Sequence, residues 1–388
     1  MTSWRPQRYK VDARRAGQDP STTNNAIAVA AITRTVSPSL PPVFTLRHLA
    51  YLSDVNYGFL RAVVSRTVEQ PYRIFRIKKR PAQNGERRYR IIAVPNQNLL
   101  RVQRWIVDNI LSVVRPSDAS VAFSKGDTLH AAAAPHCGCR WVIKLDVCRF
   151  FESISEMLIY RVFTSLGYQP LVAFEFARLC TREFSVGTRH QNGRWRVRSR
   201  ERSVISAYSS RTGLMGHLPQ GAPTSPMLAN LAMKELDEVI ASIADRKGLI
   251  YTRYADDLTL STVNPNFTRL QAQSVIKEVY AVLRTVGLTP NVAKARILSP
   301  GARKVVLGLL VDGAKPKLPR DFKARMRQHL YYLSRADFGP GVHAKRIGFA
   351  SIVGLRNHLY GLAAFAAQIE PEYGTRCRLA LDCVEWPL

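Results

Sequence analysis

Acidic residues are scarce in this chain: 28 Asp and Glu stand against 57 Lys and Arg among 388 residues, a formal net charge of +29 at pH 7. Such a surplus spreads positive potential over the surface, attracts polyanions and makes their binding salt-dependent. Long apolar runs are missing too. Spanning a bilayer takes roughly 20 consecutive apolar residues, and the longest run near the start, Ala26 to Ile32, falls far short. No membrane partner is expected, and the chain reads as soluble and cytoplasmic. Cysteine is sparse and unpaired in pattern. The six, Cys137, Cys139, Cys148, Cys180, Cys377 and Cys383, lack zinc-ligand spacing, and His136-Cys137-Gly138-Cys139 lacks two further ligands at finger-like distance. Reduced thiols in a cytoplasmic protein account for them.

The positive charge is not evenly spread. Between residues 72 and 90, Arg73, Arg76, Lys78, Lys79, Arg80, Arg87, Arg88 and Arg90 face one acid, Glu86, and interleave with Tyr72, Phe75 and Tyr89. Clustering favours a nucleic-acid or nucleotide surface over a generically basic protein. At 46% hydrophobic the chain can build one large or two to three modest cores. Residues 1–43, with Arg5, Arg8, Lys10, Arg14 and Arg15 ahead of a Pro-rich stretch from Ser37 to Pro42, read as a flexible basic RNA-binding arm. A transit peptide is the rival reading, weakened by Asp12 and Asp19. Leu46, Leu49 and Ala50 predict a helix face within 44–68.

Tyr254-Ala255-Asp256-Asp257, followed by the alternation Leu258, Thr259, Leu260, predicts two adjacent carboxylates at a hairpin tip. Buried side by side, such a pair costs several kcal/mol or takes up a proton unless a cation neutralises it. Mg²⁺ binds through one or two carboxylates plus substrate phosphates, so a further acid is expected elsewhere. Asp146 is the candidate, ending the strand-like run Trp141 to Asp146.

A strand ending in Asp, then Phe150-Phe151 and a helix start, resembles the first catalytic motif of reverse transcriptases and related palm-domain polymerases. The Tyr-Ala-Asp-Asp hairpin resembles the second, and Leu218-Pro219-Gln220-Gly221-Ala222-Pro223-Thr224-Ser225-Pro226 between them resembles the nucleotide-pocket motif. Tyr72 to Arg80 with Arg87 to Pro95 looks like the fingers hairpin, Leu99 to Leu111 like the helix after it, Gly287 to Lys294 like the lysine motif, and Val305 to Leu309 like the hairpin before the thumb. Compact bacterial enzymes of retrons and related phage-defence systems look most similar. Two features depart from the retron pattern: Ala132-Ala133-Ala134-Pro135-His136 lacks the usual Asn, and Val306-Leu307-Gly308 replaces Val-Thr-Gly.

The resemblance implies an α+β right-hand polymerase with fingers, an antiparallel palm sheet and a helical thumb. Its expected divisions are the arm 1–43, fingers 44–135, palm 136–312 with a basic insertion at about 185–215, and thumb 313–388. Phe322, Met326, Leu330 and Leu333 predict the first thumb helix, and Gly354 to Leu362 a second, packed through small residues. The insertion, with Asn192-Gly193 as a turn, reads either as a nucleic-acid contact or as an inert hairpin. By resemblance, Asp146, Asp256 and Asp257 are catalytic and, with the Val147 carbonyl, hold two Mg²⁺ ions, for which Mn²⁺ can substitute. Lys79, Arg90, Phe151, Gln220, Gly221 and Lys294 are the expected nucleotide contacts, with Phe151 either excluding a 2′-hydroxyl or packing in the core. Arg76, Lys78, Tyr254, Arg320, Arg327 and Arg356 are the expected nucleic-acid contacts; Arg356 and His358 read equally as capping polar groups. The expected partners are dNTP, a structured RNA acting as template and primer, its cDNA product and an effector protein. The expected output is retron msDNA in antiphage defence. Another defence-associated reverse transcriptase, or a nucleic-acid-binding scaffold of polymerase fold, is the alternative.

Overall fold

Residues 1–43 depart from the flexible arm expected of them. In the computed structural model, which describes residues 4–68, 71–78, 89–183, 215–335 and 337–387, helices α1 (Pro6–Arg15) and α2 (Pro20–Val36) occupy this region. Each has proline in its first turn, where the missing N–H costs nothing. Asp19 caps α2 by accepting from the Thr22 amide at 2.9 Å. Alanine at 26, 28, 30 and 31 favours the helix. Ala30 is fully buried, and the Thr33 hydroxyl donates to the Gly167 carbonyl at 3.0 Å. The local cap and alanines favour α2, and tertiary contact holds it in place.

Next come α3 (Leu46–Ser53) and α4 (Tyr57–Val64), a two-stranded antiparallel ribbon of β1 (Tyr72–Lys78) and β2 (Tyr89–Pro95), and α5 (Gln97–Asn109). Thr45, Asn56 and Asn96 cap the three helices through their side-chain oxygens. The short α6 (Leu129–Ala133) and a 3₁₀ turn (Ala134–His136) lead to β3 (Trp141–Asp146), after which α7 (Phe150–Ser153), α8 (Glu156–Ser165) and α9 (Pro170–Cys180) follow. Residues 184–214, holding the expected insertion and its Asn192-Gly193 turn, lie outside the described residues. Beyond them are α10 (Ser225–Ala232), α11 (Lys234–Arg246), the hairpin β4 (Ile250–Tyr254) and β5 (Asp257–Thr262), α12 (Arg269–Thr285), β6 (Arg296–Leu298), and the small hairpin β7 (Val305–Val306) and β8 (Leu309–Leu310). Helices α13 (Arg320–Ser334), α14 (Gly339–Ile347), α15 (Ile352–Ile369) and α16 (Pro371–Asp382) complete the chain.

These elements form two units, and the chain passes between them more than once. One comprises Met1–Lys125, Val147–Val239 and Tyr280–Asn291. Its helical core includes Leu60, Leu99, Ile106, Phe163, Phe176 and Leu179, all fully buried. The other comprises Gly126–Asp146, Ile240–Val279 and Val292–Leu388. It contains a four-stranded antiparallel sheet in the order β4-β5-β3-β6. Val142, Val306, Leu309, Val311, Leu318 and Ala366 pack together beside it, and Met326, Leu333, Leu355, Leu359 and Leu381 form a second core among the C-terminal helices. The described residues of 147–183, 215–239 and 280–291 group with the N-terminal helices in the first unit. Small-residue packing falls elsewhere than expected. A Cβ on Gly361 would meet nothing within 4 Å, whereas one on Gly374 would sit 2.2 Å from the Ala367 nitrogen, so α16 meets α15 there. Among the described residues no helix is long and apolar enough to cross a membrane.

Candidate active site

The register of the sheet brings the predicted acids together. Asp146, last residue of β3, pairs directly with Asp257, first residue of β5, and Tyr254 pairs with Asp257 across the β4–β5 hairpin. Only Ala255 and Asp256 remain to make the turn. Ala255 has φ +54°, a left-handed conformation that costs a residue with a Cβ roughly 1–2 kcal/mol. Its carbonyl accepts from the fully buried Arg253 guanidinium at 3.2 Å, so a cation beneath the turn holds the strained residue in place.

Charges of both signs meet in this corner. Asp146 is buried, and its Oδ2 accepts from Lys294 Nζ at 2.7 Å. The Asp257 carboxyl is pushed above the ordinary carboxylate range, first by burial, then by Asp256 and Asp146; Lys144 and Lys294 pull the other way. A buried Asp257 carboxyl flanked by two further acids, one of which already attracts an ammonium, suits a hard cation with oxygen ligands. Among the described residues no three His, Cys, Asp or Glu side chains form a ready metal cage. A cation completed by phosphate oxygens needs none, since such ions bind through one or two carboxylates plus substrate phosphates.

The candidate nucleotide residues of the other unit are joined by backbone hydrogen bonds. The Ala93 amide of β2 donates to the Gln220 carbonyl at 2.7 Å, and the Leu218 amide donates to the Ile154 carbonyl just after α7 at 3.1 Å. Gly221 adopts φ +109°, and a Cβ there would lie 2.8 Å from Ile92 Cγ2. Close approach to β2 alone therefore requires glycine at this position. Arg90 is exposed on β2, Phe150 is buried, and Phe151 is half-buried edge-on to it at 5.5 Å. Val147 is buried and bridges Pro290, while the neighbouring Cys148 amide donates to the Thr289 carbonyl at 2.8 Å. Lys79 lies outside the described residues.

Of the expected nucleic-acid contacts, Arg76 and Lys78 are exposed on β1, and Tyr254 is half-buried at the end of β4. Arg320 and Arg327 are exposed and, seven residues apart on α13, share one face. Arg356 is half-buried, its guanidinium 5.3 Å over the Tyr360 ring.

Several supporting residues carry no local sequence signal. Glu156, at the start of α8, pairs with Arg66 Nη2 at 2.9 Å and Arg178 Nε at 2.5 Å and accepts from the Gly216 amide at 3.1 Å. That buried group anchors the segment running into Leu218 to Gly221. Lys144, which offsets charge on Asp257, and Arg253, which holds the Ala255 carbonyl, sit inside strand patterns where a lone cation is easily passed over. His136, set aside with its neighbouring cysteines as an incomplete zinc pattern, is fully buried, with both ring nitrogens engaged by Ser261 and Thr252.

Comparison with known proteins bears on these findings together. The chain is 28% identical over 342 residues to the Retron Ec86 reverse transcriptase of Escherichia coli, covering 86% of this chain and 92% of that protein. It is 28% identical over 344 residues to the Retron Mx65 reverse transcriptase of Myxococcus xanthus, covering 87% and 71% respectively. Among solved structures, a telomerase from Candida albicans in complex with a fragment of telomeric RNA matches at a TM-score of 0.40 and 12% identity, covering 82% of this chain and 62% of that one. Residues 77–328 match the family described as reverse transcriptase (RNA-dependent DNA polymerase). That match spans well over half of the sequence, includes Asp146, Asp256 and Asp257, and accords with the antiparallel sheet and helical C-terminal region: the chain belongs to the reverse transcriptase family of RNA-dependent DNA polymerases.

Proposed function

We propose that this reverse transcriptase copies a structured non-coding RNA into cDNA with two Mg²⁺ ions, as a retron enzyme making msDNA in antiphage defence. The observation that carries the polymerase chemistry is the direct pairing of Asp146 with Asp257 beside the Asp256 turn. Asp146, Asp256 and Asp257, with the Val147 carbonyl, hold the ions. Held there, such ions would supply Lewis acidity toward the primer hydroxyl and the pyrophosphate leaving group. The hydroxyl oxygen attacks the α-phosphorus in line, its proton passes to water, and the bond to pyrophosphate breaks, releasing pyrophosphate. Lys294, whose ammonium pairs with Asp146 at 2.7 Å, would offset negative charge on the triphosphate. Lys79 and Arg90 add charge on the same oxygens, Gln220 and Gly221 line the pocket, and the Phe151 ring excludes a 2′-hydroxyl.

Arg76, Lys78, Tyr254, Arg320, Arg327 and Arg356 hold the template and product. An A-form hybrid is read by backbone and 2′-hydroxyl contacts, which suits basic side chains without base-edge readers. The retron assignment draws on the two relatives named above and extends to a primer hydroxyl within the RNA itself and to an effector protein bound with the product.

Purification from the native locus tests this reading. Nucleic acid that travels with the protein is digested separately with RNase and DNase, and the survivors are sequenced. A short cDNA joined to a structured RNA is the expected result. Protein free of nucleic acid that extends an added primer on RNA would overturn the retron assignment while leaving the polymerase.

A further inference from the structure

His136 lies on the 3₁₀ turn before β3 and is wholly buried. Its Nδ1 is 2.7 Å from Ser261 Oγ on β5, and its Nε2 is 2.7 Å from Thr252 Oγ1 on β4. Those two strands form the hairpin whose turn and first β5 residue are Asp256 and Asp257. Ten residues further on, the segment bearing His136 ends β3 at Asp146, so one imidazole connects both strands of the hairpin to the peptide that delivers the third acid. We propose that His136 is a positioning residue for the catalytic carboxylates, fixing the β4–β5 hairpin against the segment before β3 so that Asp146, Asp256 and Asp257 meet in register; this rests on the polymerase reading above.

The chemistry of the contacts supports a specific clasp rather than generic filling. A neutral imidazole has one N–H donor and one acceptor nitrogen, and hydroxyls are the partners that can answer either. Burial holds the His136 pKa down to about 4, so the ring is neutral at ordinary pH and both bonds persist. A side chain with no exposed surface cannot itself contact RNA. Its influence passes through the strands. Thr252 pairs with Thr259, and Ser261 with Ile250, so the two bonds land on opposite strands two rungs apart and resist both sliding and opening of the hairpin.

The test uses the full chain and the variants His136→Ala, His136→Gln, Thr252→Val and Ser261→Ala. Three readouts are taken: turnover and KM for dNTP, Mn²⁺ binding without nucleotide by paramagnetic resonance, and amide hydrogen exchange. His136→Ala is expected to lower kcat by about 10²-fold with KM for dNTP within about twofold, as misplacement without lost substrate contact predicts. Mn²⁺ binding weakens by about tenfold, and exchange accelerates in β4 and β5 but not in α13 to α16. His136→Gln, which keeps an amide nitrogen in reach of Thr252, recovers part of the loss. Adding Thr252→Val abolishes that recovery, whereas adding Ser261→Ala leaves it. Folded His136→Ala protein with unchanged kcat and Mn²⁺ binding would overturn the proposal, as would faster exchange spread evenly over the C-terminal helices. If the parent chain makes no DNA, the polymerase reading fails, and metal binding and exchange still decide the role of His136.

Discussion

The four-stranded sheet and the β1–β2 ribbon use the same kind of backbone pairing for opposite ends. Every residue of β3 except Lys144 is buried, and its one terminal acid is placed by strand register. In β1 only Tyr72 is buried, and the following residues to Lys78 expose Ile74, Phe75 and Ile77 together with their arginines. Metal chemistry needs ligands held to fractions of an ångström, which packing on both faces supplies. A polyanion needs charge and apolar surface that adapt to it, and the exposed outer part of the ribbon, Arg73 to Lys78 with Tyr89 to Ile91, supplies those. Rigidity is therefore spent where acids must meet, and adaptability is kept where cations must follow a ligand.

The largest expected effect breaks the rigid side of that contrast. Asp256→Ala with Asp257→Ala should lower primer extension by roughly 10³-fold or more, since metal stabilisation of the transition state amounts to several kcal/mol; single-turnover incorporation measures it, with RNA binding unchanged. Next comes the buried ion group behind Gln220 and Gly221. Glu156→Ala leaves Arg66 and Arg178 facing each other without their shared partner, a loss of about 3–5 kcal/mol for a broken buried pair, read as a lowered denaturant midpoint.

The adaptable side should respond more gently. Arg90→Ala removes one charge-assisted contact worth about 1.5–3 kcal/mol and is expected to raise KM for dNTP by tenfold or more while leaving folding untouched. Phe151→Ala should admit rNTP, measured as a fall in the dNTP to rNTP ratio of kcat/KM, with the dNTP rate less affected. The smallest effect is a pH dependence without metal. The folded Asp257 pKa lies above its unfolded value, so its contribution to stability is fully present below the unfolded pKa and disappears as pH rises through the folded pKa. Melting in chelator should fall across that window, and Asp257→Asn should flatten it.

Much of the rigid region was readable from the chain alone. The alternation after Tyr254 and the β-branched run before Asp146 announce strands, because period-two patterning reflects the pleat itself, and the hairpin, the acids at its tip and their third partner stand where that pattern puts them. The helix face of Leu46, Leu49 and Ala50 in α3 was legible for a similarly local reason, whereas Leu99 to Leu111, within and just beyond α5, was read by resemblance. What depended on distant contacts was not. The N-terminal 43 residues looked like an arm because nothing local shows that Thr33 will meet Gly167. The neighbourhood of His136 suggested an incomplete metal pattern, since its true partners lie 116 and 125 residues away. Glu156 has partners 90 and 22 residues away, and the glycine at 221 answers to Ile92 on a strand far upstream.

The most direct test of the central claim is single-nucleotide incorporation by the purified chain on a defined RNA template with Mg²⁺, comparing the parent with Asp146→Asn and with Asp256→Ala plus Asp257→Ala. The account predicts template-directed dNTP addition by the parent and its near-complete loss in both variants while RNA binding persists. Addition that survives the loss of these carboxylates would contradict it.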